Sequence, residues 1–242
     1  MRRCTVCTVI LSVPAASDQP VRVLAVRDED PARAWQPLGA WWPDRPGVVG
    51  VRDARAGGAW LAADASAGRL AVLLNRASGP VPDGMVQVSR GGIVLDAVAG
   101  RPQHPTAAVL GFNLVDVSAD GVRVLTWDGH ALRETPVPPG VHMIAHDDLD
   151  DPRTSRITAW HDAFADAASG PDWERAWLDV LARSARLGPD DDRAIIRDNR
   201  VHGYPTQSLL LCTASVGTSV DVRYGELTTP GMWNEVELVP PV

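Results

Sequence analysis

The first half of the chain consists of short apolar segments separated by turns, a pattern that is typical of β-strands. Strands are predicted at 7–12, 21–26, 48–51, 59–63 and 69–74. The last of these is mostly apolar, which indicates a strand that is covered on both faces. A short helix is predicted at 93–99, and further strands are predicted at 108–117, 122–127 and 141–145.

Helical periodicity is found in the second half of the chain. Asp151 and Pro152 are interpreted as the N-cap and first residue of a helix. Apolar residues then recur at helical spacing, namely Ile157, Trp160 and Phe164. A second helix begins near Asp172, and strands follow at 208–214, 220–225 and 233–239. Strands, then helices, then strands, without βα alternation, indicate one α+β domain over residues 1–242.

The segment 31–46 interrupts this regular pattern with several prolines and tryptophans. We interpret it as a long loop folded over the functional site, because such a proline content disfavours regular structure. Trp35, Trp41 and Trp42 within it are expected to form an apolar lid over a hydrophobic substrate.

Charge and hydropathy exclude two classes of function. The chain has 242 residues with 23 basic and 30 acidic side chains, which gives a formal net charge of −7. This acidic balance argues against general nucleic-acid binding. Every basic side chain is arginine, which together with abundant alanine and glycine is typical of a GC-rich bacterial genome. Because no apolar run reaches membrane length, we expect a soluble cytoplasmic protein.

The cysteine pattern predicts neither a disulfide framework nor a metal site. Three cysteines are an odd number. Cys4 and Cys7 have the spacing of a metal pair, but a zinc site needs about four ligands and no second pair is present. His142 and His146 lie on a predicted strand and loop, so their spacing does not make a ligand pair.

Cys7 begins the first strand, and the second strand runs directly into Arg27, Asp28 and Glu29. A cysteine at the start of a mature chain can use its own α-amine as a base, because the pKa of that amine is roughly 7.7–8.0. Arg27 and Asp28 at the end of the neighbouring strand are placed to bias the thiolate and to hold the amine. The alternatives are an inert buried cysteine and a structural Arg–Asp ion pair.

Several short motifs lie in order along the chain, at 7–9, 25–29, 57–61, 74–76, 111–114, 139–142 and 204–208. They resemble those of the Transport and Golgi organisation 2 family, also called the NRDE family. The resemblance implies an N-terminal-nucleophile (Ntn) hydrolase-like fold, which is a four-layer αββα sandwich of two mostly antiparallel sheets between helices. The mechanistic relatives that it implies are the choloylglycine hydrolases and penicillin V acylases.

The resemblance also implies roles for individual residues. Cys7 matches the nucleophile, Arg27 the arginine beside it, Asp28 the partner of the α-amine, and Asn75 an asparagine that donates to an oxyanion. Asn75 is alternatively a turn residue bonded to its own backbone. Five residues are expected to contact the substrate, namely Trp41, Trp42, Trp60, Asn113 and Gln207.

The chain departs from the family pattern at three positions. Val26 replaces an asparagine, and Gln207 stands where an arginine is usual. The lead cysteine of the family directly follows the initiator methionine, whereas here it is Cys7. Val6 is interpreted as a misread GTG start codon, so we expect the mature chain to begin at Cys7 without residues 1–6.

Two functions follow from these residues and the resemblance. The first is an Ntn-type cysteine hydrolase or acyl-transfer protein that acts on an amide or acyl bond of a small, partly apolar substrate and needs no cofactor. The second is a non-catalytic protein of the same fold that binds and transfers haem or an acyl-CoA-like lipid, since the resemblance links some family members to haem handling. His142 and Met143 are the axial-type ligands considered for haem.

Overall fold

The computed structural model describes residues 7–16 and 18–242, so Cys4 and Val6 lie outside the described residues. The strands are β1 (Thr8–Val13), β2 (Val21–Glu29), β3 (Trp35–Gly39), β4 (Val48–Asp53), β5 (Ala59–Asp64), β6 (Arg69–Asn75), β7 (Phe112–Ser118), β8 (Gly121–Trp127), β9 (Leu132–Pro136), β10 (Gly140–Ile144), β11 (Gln207–Val216) and β12 (Val220–Glu226). The helices are α1 (Gly91–Val98), α2 (Ser155–Ala167) and α3 (Trp173–Ala185), and a 3₁₀ turn covers Asn199–His202.

These strands form two antiparallel sheets. The first sheet has the order β10-β1-β2-β11-β12, and the second runs from β3 to β9 in sequence order. The second sheet is therefore a meander of strands that each pair with the next one along the chain. In the first sheet, by contrast, β2 lies between β1 and β11, which are about 200 residues apart in sequence.

Alternating side chains on the strands define the layers. Val9 and Leu11 of β1 belong to the apolar core between the two sheets, whereas Ile10 packs in the core beneath α2 and α3. In β6, Leu70, Val72 and Leu74 face the same inter-sheet core. Ala71 and Leu73 of β6 pack in the core that contains α1. This alternation has the period of two that a strand requires.

The layer order is therefore α1, the second sheet, the first sheet, and the pair α2 and α3. This order confirms the α+β, four-layer αββα sandwich that the sequence resemblance implied. The apolar face of α3 shows why the last layer is stable, because Trp177, Val180 and Leu181 are almost completely buried.

Some sequence-based boundaries are wrong. The segment 31–46 is not entirely a loop, because it contains β3, which pairs with β4. The predicted strand at 233–239 does not form in the described chain; an isolated bridge joins Tyr224 and Val239 there. Strand β9 was not predicted, since its exposed, charged residues lack an apolar alternation. Helix α2 begins after Thr154 rather than at Pro152.

A contact between two glycines fixes the start of α1 against the start of β5. A Cβ atom added to Gly91 would lie 2.8 Å from the Cα of Gly58, which is closer than such atoms approach in proteins. The two backbones touch because neither residue carries a side chain. This contact places the N-terminal turn of α1 beside the cavity that contains Cys7.

We expect Gly91→Ala to lower the free energy of unfolding by about 1–3 kcal/mol, because the added methyl group would force the two backbones apart. Gly92→Ala is the matched control on the same helix. No atom lies within 4 Å of its added Cβ, and alanine stabilises a helix by about 0.5–1 kcal/mol relative to glycine. Urea unfolding of both variants measures the difference. Equal effects at the two positions would contradict the close contact.

Candidate active site

One cavity of about 450 Å³ brings together five of the nine residues that the sequence predicted for the site. They come from the start of β1, the ends of β2 and β6, and the start of β5, and the segment before α1 forms another wall. The five residues are Cys7, Arg27, Asp28, Trp60 and Asn75.

Cys7 lies at the base of this cavity and contacts the backbone of Asp28. The N–H of Asp28 donates to Cys7 Sγ at 3.4 Å, and the Sγ lies 3.7 Å from the Asp28 carbonyl oxygen. The antiparallel pairing of β1 with β2 sets Thr8 opposite Val26, so Cys7, which precedes Thr8, lies beside the last residues of β2. Burial, followed by the negative charge of Asp28, raises the pKa of the Cys7 thiol to about 12, and Arg27 opposes this shift.

The carboxylate of Asp28 is buried and only partly satisfied. It accepts a hydrogen bond from Ser208 Oγ at 2.6 Å, and Ser208 is its register partner on β11. Its second oxygen, Oδ2, has no hydrogen-bond partner among the described residues. Burial raises the pKa of Asp28 to about 6, and the charge of Arg156 is the largest opposing effect. Sequence reasoning missed the role of Ser208, although it lies in a matched motif.

Arg156 reaches the site from the helical layer beneath the first sheet. Its side chain is buried and donates to Thr8 Oγ1 at 3.0 Å. Burial lowers the pKa of Arg156 to about 10, and the charge of Asp28 is the largest opposing effect. Sequence reasoning missed this residue, because helical spacing beside Ile157 does not distinguish a buried arginine from one at the edge of the apolar face.

Arg27 is buried between two tryptophans and pairs with Glu29 rather than with Asp28. Its Nη2 lies 3.6 Å from Glu29 Oε2. Its guanidinium carbon lies 5.8 Å from the ring centroid of Trp35 and 6.0 Å from that of Trp60. Burial lowers the pKa of Arg27, and the charge of Glu29 is the largest opposing effect. The structural Arg27–Asp28 ion pair that the sequence left open is therefore replaced by an Arg27–Glu29 pair.

Asn75 ends β6 and lines the cavity with a partly buried side chain. Within the part of the chain that the structure describes, its amide makes no hydrogen bond, including none to its own backbone. The self-bonded turn that was the alternative is therefore not observed, and the amide is available to a ligand.

The other four predicted residues lie outside this cavity. Trp41 and Trp42 donate their indole N–H groups to the carbonyl oxygens of Pro37 (2.7 Å) and Gly57 (2.9 Å). Both pack in the core on the α1 side of the second sheet. Trp41 and Trp42 thus lie away from the site, and burial of their rings stabilises the fold. The ring centroid of Trp35, the third tryptophan of the predicted lid, lies 5.8 Å from the guanidinium carbon of Arg27.

Asn113 and Gln207 are also engaged in structural hydrogen bonds. Asn113 is completely buried; it donates to the carbonyl oxygen of Asp147 at 2.8 Å and accepts from Thr126. Gln207 donates to the carbonyl oxygen of Pro230 at 3.1 Å. The two amides hold neighbouring loops and lie outside the Cys7 cavity, so the contact of these residues with a substrate stays a prediction.

Comparison with known proteins identifies the family. The model of the family described as Transport and Golgi organisation 2 matches residues 6–176. The chain belongs to this family. The matched region contains all five predicted residues that line the cavity, whereas Ser208 lies beyond it. None of the curated proteins compared with the chain matches it.

This member of the Transport and Golgi organisation 2 family is similar to the solved structure of another protein, a Caenorhabditis elegans N-acylethanolamine-hydrolyzing acid amidase (NAAA) ortholog. The two chains share 13% sequence identity, and the alignment covers 86% of this chain and 92% of the other, with a TM-score of 0.45. The likeness is too distant to transfer the role of any residue.

The residues considered as haem ligands are engaged within the fold. Both ring nitrogens of His142 are engaged, with Asp150 Oδ2 at 2.6 Å and the Pro138 carbonyl oxygen at 2.9 Å. Met143 is completely buried in the core beneath α2 and α3. In the described ranges, no group of three or more histidine, cysteine or acidic residues is placed to hold a metal ion.

Within residues 7–16 and 18–242, every helix is too short or too polar to cross a membrane. This finding agrees with the absence of a membrane-length apolar run in the sequence.

The raised pKa of Asp28 predicts a specific pH dependence of stability. Its folded value of about 6 exceeds the unfolded value of about 3.9, so the folded state binds more protons between these limits. The contribution of Asp28 to stability is therefore fully present below about pH 4 and is lost as the pH rises through about 6. Relative to Asp28→Asn, the natural chain should lose about 3 kcal/mol over this window, measured by urea unfolding.

Asp128→Asn is the control for this measurement. Hydrogen bonds from the backbone of Ala131 and His130 lower the pKa of Asp128, so its contribution is present above the unfolded pKa and is lost as the pH falls. Between about pH 4 and 6 the Asp128→Asn comparison should therefore be nearly flat, and it should change, with the opposite sign, only below about pH 4. A flat difference for Asp28→Asn between about pH 4 and 6 would contradict a buried, protonatable carboxyl group.

Proposed function

We propose that the protein is an Ntn-type cysteine hydrolase or acyl-transfer protein, in which Cys7 attacks an amide or acyl carbonyl of a small, partly apolar substrate. The observation that carries the proposal is the buried carboxylate of Asp28. Its backbone contacts Cys7 Sγ, and its Oδ2 is a buried acceptor without a partner among the described residues. An α-ammonium group on Cys7 would satisfy that oxygen.

The reaction requires a base close to the thiol. In this proposal the neutral α-amine of Cys7 accepts the proton of the thiol, and the thiolate attacks the carbonyl carbon. Asp28 stabilises the resulting ammonium ion, and Asn75 donates a hydrogen bond to the oxyanion. The ammonium then returns the proton to the leaving amine or alcohol. Water releases the acyl group from Cys7 in hydrolysis, and another nucleophile accepts it in acyl transfer.

The high pKa of the thiol explains why the α-amine is needed. With Cys7 in peptide linkage to Val6, burial holds the thiol pKa at about 12, and a negligible fraction is ionised at neutral pH. A free α-amine supplies both a local base and, once protonated, a positive charge beside the sulfur. The proposal therefore requires Cys7 to be the first residue of the active chain. The family match that begins at residue 6 supports this requirement.

The size and lining of the cavity support a small substrate. Its volume of about 450 Å³ lies in the range of about 300–1,000 Å³ for small-molecule sites. Trp60 and Leu73 supply apolar surface, while Arg27 and Asn75 supply hydrogen-bond donors. A molecule with an apolar part and a few polar acceptors matches this mixture.

The alternative function is a non-catalytic carrier of haem or an acyl-CoA-like lipid in the same cavity. One observation favours it, namely that the Cys7 thiol is buried and its pKa is raised far above neutrality. Such a thiol in an uncleaved chain would be inert. The enzyme therefore requires a free α-amine on Cys7, whereas the carrier does not.

The intact mass of the natively expressed protein distinguishes the two functions. We expect a chain that begins at Cys7 and gains one acyl group from p-nitrophenyl acetate, because a free N-terminal amine activates the thiol. Cys7→Ala should abolish the label. Cys212→Ala should not, because Cys212 is buried in β11 and burial raises the pKa of its thiol.

Retention of residues before Cys7 together with no Cys7-dependent label would overturn the catalytic proposal. Titration of haem and of a long-chain acyl-CoA against the same preparation would then test the carrier function.

Asn75→Ala should lower kcat/KM for this ester by about 10²–10³-fold, mainly through kcat, because one oxyanion donor is lost. Asn113→Ala provides the contrast. It removes a buried structural amide, so it should reduce stability and leave kcat of the folded protein nearly unchanged. Steady-state kinetics and urea unfolding of both variants make the comparison. A larger kcat loss for Asn113→Ala would exclude Asn75 as the donor.

A further inference from the structure

We propose that the Cys7 cavity contains a carboxylate-binding subsite formed by Nη1 of Arg27 and Nε1 of Trp60. Both atoms are buried donors without a hydrogen-bond partner among the described residues, and both residues line the same cavity. As a statement about the substrate, this inference rests on the proposed function. As a statement about a binding site, it stands without catalysis.

Arg27 has the properties of a preorganised anion-binding group. Arg27 is 2% exposed, so its side chain is held in place by the surrounding protein. Nearby rings of Trp35 and Trp60 hold the guanidinium group. The nearest described carboxylate, that of Glu29, lies 3.6 Å from Nη2, which is too far for a good hydrogen bond. Nη1 is therefore an unmet donor in a buried position, where a missing hydrogen bond is costly.

Trp60 supplies the second donor. Trp60 is 7% exposed, and its ring packs in the inter-sheet core. Three other buried tryptophans, Trp42, Trp127 and Trp177, each donate the indole N–H to a backbone carbonyl oxygen. The unmet Nε1 of Trp60 departs from that pattern at a residue that lines the cavity.

The other arginines around the cavity are either hydrogen-bonded to protein acceptors or exposed to solvent. Arg33 binds Asp53, with a 2.9 Å hydrogen bond from its Nε. Arg90 donates to a backbone carbonyl oxygen at 2.9 Å, and Arg55 is exposed to solvent. Among the described residues that line the cavity, Arg27 is thus the buried cation whose charge is least neutralised by hydrogen-bonded acceptors.

Two donors select a carboxylate over other groups. A carboxylate offers two acceptor oxygens and a full negative charge, which matches one guanidinium N–H and one indole N–H. A phosphate carries more charge and more acceptor oxygens than this pair satisfies, and a neutral amide lacks the charge. A substrate held here would carry a carboxylate at one end and present its acyl bond to Cys7 in the same cavity.

Binding to the full-length Cys7→Ala protein tests the subsite apart from catalysis. Hexanoate is the probe, hexanamide is the neutral control of equal size, and inorganic phosphate is the second anion. We expect saturable binding of hexanoate by isothermal titration calorimetry, weakened by added salt, and much weaker binding of the other two. Equal binding of hexanoate and hexanamide, or binding of phosphate alone, would overturn the proposal.

Two substitutions in the same background locate the site. Trp60→Phe keeps an aromatic ring and removes the N–H, so hexanoate affinity should fall roughly tenfold, as for loss of a hydrogen bond to a charged group. Trp42→Phe is the matched control, since its similarly buried indole N–H bonds to Gly57 outside the cavity. Arg27→Gln should abolish the salt dependence. Equal losses in the two tryptophan variants would refute the subsite.

The two proposals fail in different ways. Hexanoate binding by Cys7→Ala without acylation of the natural chain would leave a carboxylate-binding protein that is not an enzyme of the proposed type. Acylation of Cys7 without hexanoate binding would leave the enzyme and remove the subsite.

Discussion

The site depends on the hydrogen bonding of β2 to a neighbour on each side. Pairing with β1 brings Cys7 Sγ to the backbone N–H of Asp28, and pairing with β11 brings Ser208 Oγ to the carboxylate. Register in an antiparallel sheet is fixed over the whole ladder, so a slip of one residue would turn each of these side chains to the opposite face. The same backbone ladder that stabilises the first sheet therefore assembles the reactive group and its partner.

The buried charges of Arg27 and Asp28 are tolerated because the helical layer and the first sheet both contribute polar or charged groups near them. Arg156 enters from the helical layer, Ser208 from β11, and Glu29 from β2 itself. An isolated buried charge costs far more than a paired one, yet donors and acceptors around Cys7 are left incomplete. Incomplete hydrogen bonding in one cavity is the feature that connects the two proposals, because a bound group would complete it.

Sequence reasoning predicted the parts of the fold that are buried. β6 was found as a continuous apolar run, because both of its faces are covered. α3 was found because burial of one face imposes a period of about 3.6 on its apolar residues. β9 was missed, since an exposed edge strand needs no apolar alternation. The tryptophans of segment 31–46 were assigned to a lid because composition reports that a residue is apolar, but not which surface covers it.

The sequence by itself indicated one α+β domain through apolar periodicity, and its resemblance to the family implied the αββα layering. It also placed Cys7, Arg27 and Asp28 at the ends of neighbouring strands. Only the tertiary structure decided which polar groups meet. Asn113 and Gln207 were drawn into structural hydrogen bonds, while Arg156 was brought from the helical layer to the site. The physical reason is that strand periodicity is a local property of the chain, whereas the pairing of buried charges depends on groups from distant segments that share one low-dielectric interior.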